Sequence, residues 1–127
     1  MPRPAFPAGV RILIVDDEFM IAADIQWMLS DAGAEVAVTT SLSAALDVVR
    51  NEHVSAALLD VRLGNDTSEP VADLLAAKGI PFLFFSGVSL PCRMRAKFPD
   101  ARTLVKPVAF CELLSATADL VASREPV

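Results

Sequence analysis

Membrane-length apolar runs are missing from this 127-residue chain, which excludes a spanning helix, since one needs about 20 consecutive apolar residues. Histidine occurs once and cysteine twice. His53, Cys92 and Cys111 do not have the spacing of a zinc site, so the thiols are expected to be free and to act as small hydrophobes. Positive charge is also scarce: 11 Lys and Arg against 16 Asp and Glu leave a net charge of −5, which disfavours nonspecific nucleic-acid binding. Glycine numbers only 5 while apolar residues make up 54%, a balance that excludes a fibrous or disordered chain. One compact domain is expected at this length. The first seven residues hold three prolines and no apolar leader core, so residues 1–10 are expected to form a loose tail on a cytoplasmic protein.

What is present is a set of short apolar runs separated by helical patterns. Ile21, Ile25, Met28 and Leu29 recur at helical spacing, and Gly33 ends that segment. Residues 35–39 alternate around Val36 and Val38 as a strand would; Leu42, Ala45, Leu46 and Val49 then restore helical spacing behind a Ser41 or Ser43 cap. A loop through Gly64, Asn65 and Asp66 leads to Thr67-Ser68-Glu69-Pro70, where a hydroxyl cap and an early proline announce a helix carrying Val71, Leu74 and Leu75. Pro91 and Pro99 bracket a fourth helix of about two turns at most. Phe110, Leu113, Leu114, Thr117 and Val121 mark one face of a terminal helix. The basic cluster Arg93, Arg95, Lys97 and Arg102 reads as a solvated helix face, with an acidic protein partner as the alternative.

The order βαβαβαβαβα predicts an α/β fold, a three-layer doubly wound parallel sheet of five strands. The first, third and fourth strands are continuous apolar runs and belong in the centre; the second alternates and belongs at an edge. Four runs end on polar residues: Ile12-Leu13-Ile14-Val15 before Asp16-Asp17-Glu18, Ala56-Ala57-Leu58-Leu59 before Asp60, Phe82-Leu83-Phe84-Phe85 before Ser86, and Leu104-Val105 before Lys106-Pro107. Ligands of open α/β sheets bind at the carboxyl ends of strands, so these groups converge on one site.

Helix capping accounts for one or two of the acids after the first strand. Adding Asp60 changes the balance, because unit charges near 4 Å repel by about 1 to 4 kcal/mol at surface-like dielectrics. A divalent cation relieves that repulsion, and oxygen-only ligands in an incomplete cage suit Mg²⁺. His53 lies at the opposite end of its strand and reads as a loop residue. A carboxylate can attack phosphorus, a metal can offset phosphoryl charge, and an ammonium with a hydroxyl can bind the remaining oxygens. All these parts are present.

This combination resembles the receiver domain of two-component response regulators, over nearly the whole chain. The motifs that carry the resemblance are Ile14-Val15-Asp16-Asp17-Glu18, Leu58-Leu59-Asp60, Phe85-Ser86-Gly87 and Val105-Lys106-Pro107. It implies a flavodoxin-like (βα)5 sheet of order 2-1-3-4-5 with a short or irregular fourth helix, spanning residues 11–123, with 124–127 as a terminal end. By resemblance Asp60 is the phosphoacceptor. Asp17 binds Mg²⁺, or Mn²⁺, directly; Asp16 does so largely through water; and the Arg62 backbone carbonyl is a further ligand. Ser86 reorients toward the phosphoryl group, Lys106 pairs with it, and the Lys106-Pro107 bond is cis. Residues 79–91 more narrowly resemble the so-called FAT GUY receivers of alphaproteobacteria, with Phe85 and Ser86 in place of the usual Ala and Thr.

The expected function is that of a stand-alone phosphoacceptor in a phosphorelay, fed by a histidine kinase or phosphotransfer protein and acting on an unknown downstream protein. It is expected to be a monomer or weak dimer, to bind neither nucleic acid nor membrane, and to be no enzyme beyond its own phosphorylation and dephosphorylation. Thr103 stands where receivers commonly carry an aromatic switch residue, so residues 88–99 are expected to change order instead. Met20 and Trp27 point away from the buried stripe of the first helix and are a candidate partner surface. Two alternatives remain. A receiver-like binding module that needs no phosphorylation would be expected to lack the acceptor, an acid or the lysine. A Mg²⁺-dependent phosphohydrolase would carry a second carboxylate where Arg62 stands.

Overall fold

The computed structural model describes residues 6–124. In chain order its elements are β1 (Arg11–Val15), α1 (Phe19–Asp31), β2 (Glu35–Thr39), α2 (Leu42–Asn51), β3 (Ala56–Leu59), β4 (Arg62–Leu63), β5 (Asp66–Thr67), α3 (Glu69–Ala77), β6 (Phe82–Ser86), α4 (Cys92–Lys97), β7 (Thr103–Val105) and α5 (Phe110–Arg124). The main sheet is parallel in the order β2-β1-β3-β6-β7. That is the expected order of five strands. The additional β4 and β5 form a two-residue antiparallel hairpin that stands apart from the sheet.

Alternation along the strands divides the core into two layers. Ile12, Ile14, Leu58, Leu83, Phe85 and Leu104 face one helical layer with Ala22, Ile25 and Leu29 of α1 and Leu113 and Ala116 of α5. Leu13, Val15, Leu59 and Phe84 face the other, with Ala45 and Val49 of α2, Val71 and Leu75 of α3, and Met94 of α4. Burial of each Val, Leu, Ile, Phe or Met side chain among them is worth about 1.5–3 kcal/mol. The central strands β1, β3 and β6 are buried on both faces, as unbroken apolar runs require. Ser41 caps α2 by accepting the Ala44 N–H at 3.2 Å, and Gly33 takes a φ of 103° beyond α1, where a side chain would be strained.

Several expectations need correction. Residues 1–5 of the expected loose tail lie outside the described residues, but residues 6–10 are docked: Phe6 and Val10 are buried, and the Phe6 N–H donates to the Ala32 carbonyl at 3.2 Å. An aromatic ring placed to cover the α1 side of the core outweighs the proline content around it. Phe110 is 52% exposed, because α5 begins there, and Leu113, Ala116, Thr117 and Val121 take the inner face. Ser68 occupies the cap position of α3 without a side-chain cap bond; the Thr67 hydroxyl accepts the Glu69 N–H instead, at 3.4 Å. Cys92 and Cys111 are free but exposed, so they fill no core space. The basic cluster is exposed yet paired with its own neighbours: Arg93 and Lys97 with Glu69, Lys97 with Asp73, and Arg102 with Asp119. Arg95 donates to the Leu90 carbonyl at 3.3 Å.

A carboxylate cluster at the strand ends

The parallel register brings the carboxyl ends of β1, β3, β6 and β7 to one edge of the sheet, so residues directly after or at each strand end meet there. Asp16, Asp17 and Asp60 each offer a carboxylate oxygen within 4.8 Å of the others. Asp16 is fully buried and Asp60 nearly so, whereas Asp17 is exposed. Asp16 Oδ1 accepts the Glu18 N–H at 2.9 Å, which fixes its rotamer just ahead of α1. The acids therefore do only part of the expected capping: Glu18 is the cap residue and makes no side-chain cap bond. Asp17 Oδ2 accepts the Gly64 N–H at 3.0 Å, tying the hairpin tip to the site.

Lys106 closes the cluster. Its ammonium donates to Asp16 Oδ2 at 2.9 Å and to Asp60 Oδ2 at 3.3 Å, and lies 3.7 Å from Glu18 Oε1. Burial pushes the Asp16 carboxyl above its usual range, and the Glu18 N–H and the ammonium only partly offset this. Burial alone would pull the Lys106 ammonium down, but Asp16 and then Asp60 hold it above its ordinary value. The backbone positions the lysine too, since its N–H donates to the Ser86 carbonyl at 2.9 Å. Ser86 is buried, and its hydroxyl accepts the Val88 N–H at 3.3 Å. The Lys106-Pro107 bond is cis.

Other expected residues fall around this centre. Arg62 is exposed on β4 and, with Pro107, lines the cleft. Thr103 is exposed at the start of β7 and offers no ring. Met20 and Trp27 are 81% and 73% exposed on the outer side of α1. His53 is exposed and bonded to Ser55, near the other end of β3. Two participants went unassigned in the sequence. Glu18 is a third carboxylate near Lys106, and the buried Phe85 ring lies under the ammonium at 4.8 Å. An aromatic residue just before a strand-end serine, on the strand beside the lysine strand, was the available signal.

A cleft of about 710 Å³ runs from the acids toward α1 and the start of α5, lined by Ile21, Ile25, Phe85, Val108 and Leu113, with Asp24 and Phe110 exposed in it. Oxygen-only donors in a partial cage, already drawing one ammonium among them, fit a hard divalent cation that keeps part of its water shell. With carboxylates able to act as nucleophiles, a hydroxyl and a fixed ammonium side by side, the arrangement has the groups that phosphoryl chemistry uses.

The family model described as response regulator receiver domain matches residues 12–118. No curated protein matches the chain. Among solved structures, a CheY-like receiver domain protein from Methanospirillum hungatei JF-1 is 23% identical, with a TM-score of 0.82 over 91% of this chain and 95% of that one. A response regulator receiver protein from Sinorhizobium medicae WSM419 is 25% identical, with a TM-score of 0.80 over 91% and 97%. The non-phosphorylated HemR receiver domain from Leptospira biflexa is 23% identical, with a TM-score of 0.81 over 93% and 98%.

Proposed function

The chain belongs to the response regulator receiver domain family, and on that premise we propose that Asp60 accepts a phosphoryl group from a phosphohistidine of a histidine kinase or phosphotransfer protein. The observation that carries the reading is the Lys106 ammonium bonded to both Asp16 and Asp60. An Asp60 oxygen forms the bond to phosphorus as the P–N bond of the donor breaks; the electron pair stays on the imidazole nitrogen, which takes up a proton. Ser86 turns its hydroxyl from the Val88 N–H toward one phosphoryl oxygen, and Lys106 moves from the Asp60 carboxylate to another. Asp16, Asp17, Asp60 and the Arg62 backbone carbonyl would hold Mg²⁺ or Mn²⁺, whose charge would offset that of the phosphoryl oxygens.

The donor docks beside the site across α1, where exposed Met20 and Trp27 offer apolar anchors. Phosphorylation replaces the single negative charge of the Asp60 carboxylate with the roughly −1.5 to −2 charge of a phosphoryl group carried farther out, a change of charge and shape that biases a two-state surface. With Thr103 unable to supply a ring, residues 88–99 carry that change to a downstream protein; amide exchange in this segment that is identical with and without beryllofluoride would refute this route. The acceptor itself is tested by intact mass. Wild type incubated with Mg²⁺ and acetyl phosphate or a panel of kinases gains one phosphate-sized increment, and Asp60→Asn does not. A wild type that gains none with any donor overturns the reading.

A further inference from the structure

Lys106 has four rotatable side-chain bonds and three carboxylates within reach, so hydrogen bonds alone leave it a choice of poses. The sheet supplies a further constraint. Phe85 of β6 pairs in register with Leu104 of β7, and Lys106, two residues on, falls on the same face as Leu104 and Phe85. The lysine therefore extends over the Phe85 ring, with Nζ 4.8 Å from its centroid, inside the distance at which an ammonium is attracted to a π face. The ring is 1% exposed and the Lys106 side chain 15% exposed, so the contact is largely shielded from water, where such an attraction is strongest.

We propose that Phe85 is a positioning residue for phosphoryl transfer: its ring face holds the Lys106 ammonium over the acid cluster while the ammonium exchanges the Asp60 carboxylate for a phosphoryl oxygen. The exchange is the step at which the lysine would otherwise swing free. When Asp60 becomes an acyl phosphate, one of the two carboxylates bonding the ammonium changes its charge and shape, but the ring beneath stays in place, because β6 is held between β3 and β7 in the sheet. An aliphatic side chain at position 85 would be apolar enough for the core but would present no negative face. This role rests on Asp60 being the acceptor.

The test replaces Phe85 alone, among the chain's seven phenylalanines, with site-specifically incorporated mono-, di- and trifluorophenylalanine, which keep the ring's shape and progressively remove its negative face. At saturating acetyl phosphate and Mg²⁺, the rate of Asp60 phosphorylation is expected to fall stepwise by about three- to tenfold across the series, while the fold is retained and the acetyl phosphate concentration for half-saturation changes little. A purely packing role gives a flat series, and that result overturns the proposal. A second readout needs no phosphate: the Lys106 ε-methylene protons of wild type are expected upfield of their random-coil position from the ring current, and to return toward it in Phe85→Leu. Random-coil shifts in wild type also overturn the proposal. If wild type takes no phosphate at all, the acceptor reading fails by itself, and the ring-current measurement still decides whether Phe85 holds the lysine.

Discussion

Replacing Lys106 with methionine removes the ammonium bonded to Asp16 and Asp60 while leaving a side chain of similar length. Asp16, Asp17 and Asp60 then face one another with oxygens within 4.8 Å, a separation at which two unit charges repel by about 3 to 4 kcal/mol at an effective dielectric near 20 and about 1 in water. Full repulsion is not reached, because Asp16 escapes it by protonation; burial has already raised its pKa. The expected cost of Lys106→Met at neutral pH without divalent cations is therefore about 2 to 4 kcal/mol, somewhat below the range of about 3 to 5 for breaking a buried pair from one side. The informative quantity is the coupling. In an Asp16→Asn background the same substitution is expected to cost about 1.5 to 3 kcal/mol less, the worth of a hydrogen bond to a charged group. Loss of the Phe85 contact occurs in both backgrounds and cancels. Urea denaturation of the four proteins measures this, and added Mg²⁺ is expected to shrink the penalty by supplying another cation. Effects that add to within about 0.5 kcal/mol would refute the reasoning.

Three further outcomes are expected. Because burial raises the Asp16 pKa, protons compete with Mg²⁺ at higher pH than for an ordinary carboxylate; acidifying from pH 7 to pH 5 should weaken Mg²⁺ binding, followed by thermal shift, and an unchanged affinity contradicts it. Glu69→Gln removes the shared partner of Arg93 and Lys97, so amide exchange in the six-residue α4 should quicken while α5 stays protected; equal change in both helices would point to global destabilisation instead. Phe6→Ala should lower stability by up to about 3 kcal/mol in urea denaturation, short of a fully enclosed phenylalanine because the segment can detach. No change would mean that residues 6–10 contribute nothing to the core.

Elements with strong periodicity were legible in the sequence, and so were the site residues they carry. The four apolar runs are strands because each is buried on both faces or pairs along the sheet, and once they are parallel, Asp16, Asp60, Ser86 and Lys106 have nowhere else to meet. The β4-β5 hairpin was not legible: two residues per strand carry no period, and its position depends on the Gly64 N–H reaching Asp17. Phe6 sits among prolines that suggest a tail, and its docking depends on an opening in the core that only the packed helices define. The basic residues of α4 looked solvated because their partners, Glu69 and Asp73, lie about 24 positions away on another helix. Phe85 looked like one more apolar strand residue. Its place under Lys106 depends on the β6-β7 register, which no local pattern states.

The central claim is that Asp60, and no neighbouring acid, takes the phosphoryl group. Borohydride reduction of the phosphorylated protein converts an aspartyl phosphate to homoserine, and peptide mass mapping then locates it. Homoserine is expected at position 60 alone; homoserine at Asp16 or Asp17, or at no aspartate of a protein that has gained phosphate, would contradict the account.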